Sequence, residues 1–182
     1  MKLADLKKEN ISELNKAEIQ SVLNHISTAL ENSRKITYDL SPPILYELGL
    51  IETMYWLVEK IEEENKLKAT FVTELTDVDL PEQKLILIYR IIQELVNNIV
   101  KHAKASKIDI TFGSKREGIE ITVIDNGEGF DVNKLAKVSM EQGGFGLFAV
   151  KERVRNLGGT FAIDTKKGEG TNVKFYIPLK SI

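Results

Sequence analysis

The segment YRIIQELVNNIVKHA, from Tyr89 to Ala103, constrains this chain more than any other. Ile88, Ile91, Ile92, Leu95 and Ile99 recur at steps of three and four residues, which predicts an amphipathic helix with one apolar stripe. Glu94, Asn97, Asn98, Lys101 and His102 recur at the same steps on the other side. A helix face meant only for water is more often filled with Lys and Glu. Two adjacent asparagines each cost about a few tenths of a kcal/mol of helix propensity. They make sense if an amide oxygen is needed as a hard ligand for a magnesium ion that already carries phosphates.

The rest of the composition narrows the chemistry by exclusion. At 182 residues the chain can form one ordinary domain with a real core and one extra element. Its formal net charge of -2 gives no basic excess, so nucleic acid is not an expected partner. The absence of cysteine removes disulfides, zinc-thiolate sites and thiol nucleophiles, and fits a reducing cytoplasm. Two histidines are too few for a multi-histidine metal site. No apolar run approaches the roughly 18 residues that span a bilayer, and MKLADLKKEN has no signal-peptide core. If the parent protein is membrane-bound, its anchor is expected outside this sequence.

The pattern along the chain predicts a helical lead followed by an α+β domain. A short helical stub over 1–9 is followed by Asn10 and Glu13 at capping-box spacing. A long helix to about Asp39 then carries Ile19, Val22, Ile26, Ala29, Ser33, Ile36 and Leu40 at the spacing of a bundle seam. Ser41-Pro42-Pro43 ends it. A second helix is expected from Ile44 to about Glu63, with Leu45, Leu48, Ile51, Met54, Tyr55, Leu57, Val58 and Ile61 inward. Strands follow over Ala69–Thr76, Lys107–Phe112, Gly118–Ile124, Thr160–Thr165 and Thr171–Pro178. The polar-striped helix, opened by Pro81 and ending near Ala105, lies between the first two. A helix over Gly146–Asn156 precedes the fourth strand, after a long irregular segment with one helical turn near Val132–Val138. Helices on one face of a mixed sheet of about five strands are the expected arrangement. The domains implied are 1–43, a helical region, and 44–182, the α+β domain.

Three glycine turns follow the polar helix: DNGEGF at 125–130, GGFG at 143–146 and GEGT at 168–171. Each alone is ordinary turn chemistry. Asp125 ends the apolar strand ITVID, where a buried carboxylate needs donors, and an adenine amino group is one. Gly127 and Gly129 leave room for a flat base against the backbone. Gly143, Gly144 and Gly146 precede a helix whose free amides attract phosphate oxygens. Asn98 can hold magnesium that bridges those phosphates, and Lys101 can reach the same charge. The Thr171 hydroxyl can reach Asp125 or a bridging water. Neither a P-loop nor a Rossmann glycine turn is present.

In this order, ELVNNIVKHA resembles the N box, DNGEGF the first, GGFGLFAVKERV the second and GEGT the third glycine box of the GHKL ATPase superfamily, which includes histidine kinases, Hsp90, type II topoisomerases and MutL. The resemblance spans about residues 69–180. DLSPPILYELGLIETMYWLVE at 39–59 is similar to the junction after the second bundle helix in sensor histidine kinases of the NarL-partnered type. The implied fold is a Bergerat-type two-layer α/β sandwich preceded by a long bundle helix. The implied cofactors are ATP and Mg2+. The implied roles are magnesium at Asn98 and adenine at Asp125. Gly127 and Gly129 would shape the base pocket. Gly144, Gly146 and Leu147 would lie in the box beside the phosphates, and His102 would belong to the N box. Glu94 would be the catalytic carboxylate. The implied partners are a second copy through the bundle and the receiver domain of a response regulator, and the implied location is the cytoplasm.

One departure is the phosphoacceptor. Such kinases carry a histidine beside an acidic residue in the first bundle helix, whereas His25 is flanked by Asn24 and Ile26. An acceptor helix preceding Met1 is therefore expected, with nucleotide binding but no autophosphorylation by this chain. Alternatives are a GHKL-type ATPase in which Glu94 activates water, an anti-sigma-factor-like serine kinase, and a helical dimerisation module with a degenerate pocket.

Overall fold

A computed structural model describes residues 16, 18–30, 43–131 and 145–179. The chain divides into two compact units at Pro42 and Pro43. In the first, residues 18–30 form helix α1, all exposed, including Ile19, Val22 and Ile26 of the expected seam and also Leu23 and Leu30. Ser33, Ile36 and Leu40 of that seam, the stub over 1–9 and the turn near Val132–Val138 lie outside the described residues.

The second unit is a five-stranded sheet with helices on one face. Its strands are β1 (Lys68–Thr73), β2 (Lys107–Lys115), β3 (Gly118–Asp125), β4 (Thr160–Thr165) and β5 (Thr171–Pro178), in the order β1-β2-β3-β5-β4. β1 runs parallel to β2, and every other neighbouring pair is antiparallel. The parallel pair requires a crossover. Helix α3 (Glu82–Asn98) supplies it and spends its apolar stripe on the sheet, with Ile88, Ile91, Ile92 and Leu95 buried. Alternation sets the faces: Ile108, Ile110 and Phe112, then Ile119, Ile121 and Val123, then Val173, Phe175 and Ile177 are buried under the helices. Each such side chain stabilises the fold by about 1.5–3 kcal/mol relative to exposure. The outer face carries polar pairs such as Thr70 donating to Asp109, and the exposed Val72 and Ile124.

Several boundaries differ from the sequence expectation, each for a local reason. Helix α2 runs Pro43–Asn65 but breaks at Gly49, whose φ of 82° and ψ of -178° are not helical. The break resets the helical phase, so Leu50 is buried, whereas Leu48, expected inward, is 60% exposed. Tyr55, also expected inward, is largely exposed and packs edge-on against Phe71. Thr53 donates to the Gly49 carbonyl at 2.6 Å across the break. β1 stops at Thr73, whose hydroxyl accepts the Leu75 N–H. The β2–β3 connection is two residues rather than five, because Lys115 already pairs with Gly118. Pro81 sits at the cap before α3 instead of in its first turn. The last helix, α4, spans Phe145–Asn156 and ends in Gly158, whose φ is 74°.

Candidate nucleotide site

The strand order decides which residues meet. β5 lies between β3 and β4 and starts where β3 ends, so Asp125 pairs with Thr171. Both line a cavity of about 280 Å³. Leu95, Ile99, Val123, Val173, Leu147 and Phe130 make most of its wall apolar. Asn98, His102, Ala103, Gly129 and Gly146 complete the lining. An apolar cleft with few placed polar groups is the usual form of a small-molecule site.

Asp125 is the buried charge of this cavity, 3% exposed. Its Oδ1 accepts the Gly127 N–H at 2.7 Å, and the neighbouring Thr171 hydroxyl also favours the charged carboxylate. Burial nevertheless dominates and holds its pKa above the ordinary carboxylate value, with both opposing. An amino donor entering the cavity would therefore meet a poorly satisfied acceptor.

Beyond Asn98 the helix changes register. Ile99–Ala103 is a π-helical turn, ended by Lys104 in the left-handed region at a φ of 50°. Such insertions favour functional sites. The wider turn puts Asn98, Ile99, His102 and Ala103 on the cavity together. It leaves Asn97 and Lys101 exposed and outside the lining, so the even polar stripe of a regular helix does not hold past Asn98. Gly146 lies against the preceding turn of α3. A Cβ there would come within 2.6 Å of Glu94 Oε1 and 3.1 Å of Asn98 Nδ2. That glycine lets the start of α4 approach both polar side chains. Asn98 Nδ2 is buried without a hydrogen-bond partner. The amide's two ends are nearly equidistant from the Gly146 position, at 3.1 and 3.3 Å, so a half-turn of the amide presents oxygen in place of nitrogen. A buried amide with an unpartnered end suits a cation ligand.

The glycines of the first box have a different reason from the one expected. A Cβ on Gly127 would lie 2.3 Å from the Ala103 carbonyl, and one on Gly129 2.2 Å from the Lys166 carbonyl. They admit neighbouring backbone, although Gly129 also borders the cavity. Glu128 N–H donates to the Ala103 carbonyl at 2.8 Å, and Glu128 pairs with Lys104 at the surface. Asn126, given no role in the sequence reading, has an Oδ1 that accepts the Ser106 and Lys107 amides at 2.9 Å. Its Nδ2 donates to the Ser106 hydroxyl. Asn126 thus ties the end of β3 to the exit of the π turn, and Asn before Gly was the available signal. Gly144 lies outside the described residues.

Residues 83–181 match the family described as histidine kinase-, DNA gyrase B-, and HSP90-like ATPase. The chain belongs to this family. Among its relatives, the signal transduction histidine-protein kinase/phosphatase DegS of Brevibacillus brevis is 33% identical over 89% of this chain and 41% of its own length. The sensor histidine kinase ComP of Bacillus subtilis is 33% identical over 85% of this chain and 20% of its own length. The chain thus spans less than half the length of either. Among solved structures, the blue-light activated histidine kinase of Erythrobacter litoralis superposes with a TM-score of 0.62 at 20% identity, over 82% of this chain and 50% of that one. The catalytic domain of the histidine kinase ThkA gives 0.57 at 21% identity, over 71% of this chain and 89% of that one. These superpositions place the ATPase-family domain in the fold of histidine kinase catalytic domains. No helix among the described residues is long and apolar enough to cross a membrane.

A pH dependence follows from Asp125. Its raised pKa penalises the folded state once pH exceeds that value, and the penalty disappears below the unfolded carboxylate pKa. Asp125→Asn is therefore expected to raise the melting temperature at neutral pH, with the gain fading on acidification through the raised pKa. A melting series across pH checks this, and an Asp125→Asn chain less stable at neutral pH would contradict it.

Proposed function

We propose that this chain is the ATP-binding catalytic region of a two-component sensor histidine kinase that transfers the γ-phosphoryl group of ATP to a histidine. The phosphoryl group then passes to the receiver domain of a response regulator. The single observation that carries this reading is the convergence on one cavity of a buried carboxylate, Asp125, and an unpartnered buried amide, Asn98. The two face opposite needs: a base with an amino donor and a cation that neutralises phosphates.

Asp125, aligned by Gly127 and Thr171, would accept the adenine amino group. The apolar wall would take the ring. Asn98 would present its amide oxygen to magnesium. Bound magnesium would supply charge neutralisation for the leaving phosphates. Glu94, beside Gly146, would order that environment or polarise the acceptor imidazole. The first amides of α4 would favour phosphate oxygens. Lys101 stands outside the cavity lining, so its contribution would be long-range charge.

Residues 1–43 would be part of a dimerisation bundle and 44–182 the catalytic domain. The exposed Ile19, Val22 and Ile26 of α1 support the first assignment. A homodimer in the cytoplasm, acting on an acceptor histidine outside residues 1–43, completes the proposal. The chain is expected to bind ATP with magnesium and to gain no label from γ-labelled ATP alone. Label is expected on a separately supplied histidine-bearing bundle from a relative. Label on this chain itself, lost in His25→Gln, would overturn the assignment of the acceptor. Failure to bind ATP at millimolar concentration would overturn the whole reading.

A further inference from the structure

The π turn and the residue that ends it are both locally disfavoured. A π turn is a rare form of helix, and Lys104 is a non-glycine residue in the left-handed region, at a φ of 50°. Such backbone persists only where its surroundings hold it. Two anchors flank Lys104. On one side the Glu128 N–H donates to the Ala103 carbonyl at 2.8 Å. On the other, Asn126 Oδ1 accepts the Ser106 and Lys107 amides, each at 2.9 Å, and its Nδ2 donates to the Ser106 hydroxyl at 2.9 Å. The Asn126 N–H also donates to the Lys107 carbonyl at 3.3 Å, which carries the β2–β3 ladder one step beyond Asp125. The strap from Asn126 to Glu128 is fixed at its far end too, where the Gly168 N–H donates to the Glu128 carbonyl at 2.5 Å. Apart from the exposed Lys104–Glu128 ion pair, a weak contact in water, only the Asn126 anchor is made by a side chain. Asn126 is exposed and does not line the cavity, whereas Ile99, His102 and Ala103 do.

We infer that Asn126 is a positioning residue for the base end of the nucleotide site: its amide holds the chain leaving the π turn against the end of β3, and so keeps Ile99, His102 and Ala103 on the same cavity as Asp125. The inference rests on the proposed placement of adenine at Asp125. Without the Asn126 amide, Lys104 can return to the right-handed region and the residues before it can tighten toward a regular helix. That change takes them off the lining together. Bound nucleotide then has to restore the π turn, and its apparent affinity falls in proportion to the fraction of chains already in that form. Asn98 belongs to α3 and stands before the turn, so the magnesium end of the site is spared.

The test is titration calorimetry of ATP, with and without magnesium, on the whole chain at a temperature where each variant is folded. Asn126→Ala is expected to weaken ATP about tenfold, the value of one to two ordinary hydrogen bonds, and to leave unchanged the factor by which magnesium strengthens binding. Asn126→Asp keeps an oxygen that accepts both amides and is expected to stay within about twofold of the parent chain, the scale of a surface substitution. Lys104→Gly added to Asn126→Ala is expected to recover part of the loss, because glycine adopts a positive φ without strain. Should Asn126→Ala fail to fold, Asn126→Ser, which retains one oxygen, is read in its place with a smaller expected loss. A lower melting temperature with unchanged ATP affinity would make Asn126 a structural tie only and overturn the inference. So would Asn126→Asp binding as weakly as Asn126→Ala, no recovery in the double variant, or loss of the magnesium factor along with the affinity. Asp125→Asn separates the two levels. Unchanged ATP binding in that variant would remove adenine from Asp125. Weakened binding there, with none in Asn126→Ala, would remove only the role of Asn126.

Discussion

Asn98→Ala is expected to reduce magnesium-dependent ATP affinity at least about a hundredfold, to the level measured in chelator, since even outer-shell partners of a metal are worth about 10–100-fold. Little stability is lost with it. The removed Nδ2 is buried and unpartnered, and alanine is the better helix former by about half a kcal/mol. An unchanged or raised melting temperature together with lost binding is the signature of a ligand group that the fold does not need. Asn97→Ala is the control, because Asn97 is exposed and outside the cavity lining. Its binding is expected to stay within about twofold of the parent chain, the scale of a surface substitution. Calorimetric titration with ATP, with and without magnesium, reads both variants. Equal losses for the two asparagines, or a metal-independent loss for Asn98→Ala, would remove magnesium from the role of Asn98.

How far the site could be read from sequence follows from what each residue depends on. Asp125 and Thr171 were legible because each sits at the end of a strand with clear alternation. Pairing them needed only the topology in which β5 starts beside the end of β3. Asn98 was legible as an awkward residue on an otherwise regular helix. The π turn that follows was not, because a register change of one residue leaves no mark in composition. It is also why Lys101, which shares a face with Asn98 in a regular helix, stays outside the cavity. Thr165 was read as an ordinary strand residue. Its place beside Phe130 and Gly170 arises only when two loops dock.

The fold was legible at the level of elements. Alternation and three-to-four spacing report burial, and burial is what the sheet and α3 share. The second helix shows the limit of that reasoning. Its apolar residues read as one continuous period, but Gly49 breaks the phase and exchanges Leu48 for Leu50 in the core. A glycine inside a helical pattern is a signal of this kind, and here it outweighed periodicity. Helix α2 tolerates the break because Thr53 satisfies the Gly49 carbonyl from within the same helix.

Gly170→Ala is expected to be strongly destabilising, more so than alanine at Gly168 or Gly113. Its φ is 79°, and a Cβ would lie 2.1 Å from the Asp125 carbonyl oxygen. Left-handed backbone costs a non-glycine residue about 1–2 kcal/mol, and overpacking a tight site adds about 1–3 kcal/mol. A total of about 2–5 kcal/mol is a large share of the roughly 5–15 kcal/mol that holds a domain folded. The contacting atoms are backbone of Asp125 and Asn126, so relief would move Asp125 itself, and ATP affinity is expected to fall with stability. Two other glycines separate the contributions. Gly168 has a φ of 86° but open space around its missing Cβ, so Gly168→Ala carries conformational strain alone, about 1–2 kcal/mol. Gly113 has neither positive φ nor a neighbour within 4 Å, and Gly113→Ala in β2 is expected to be neutral or stabilising by about 0.5–1 kcal/mol. Denaturant midpoints for the three variants test the order Gly113, Gly168, Gly170. Gly170→Ala unfolding no more easily than Gly168→Ala would show that the third turn yields to a methyl group. The docking of that turn onto the end of β3 would then not be what holds Asp125 in place.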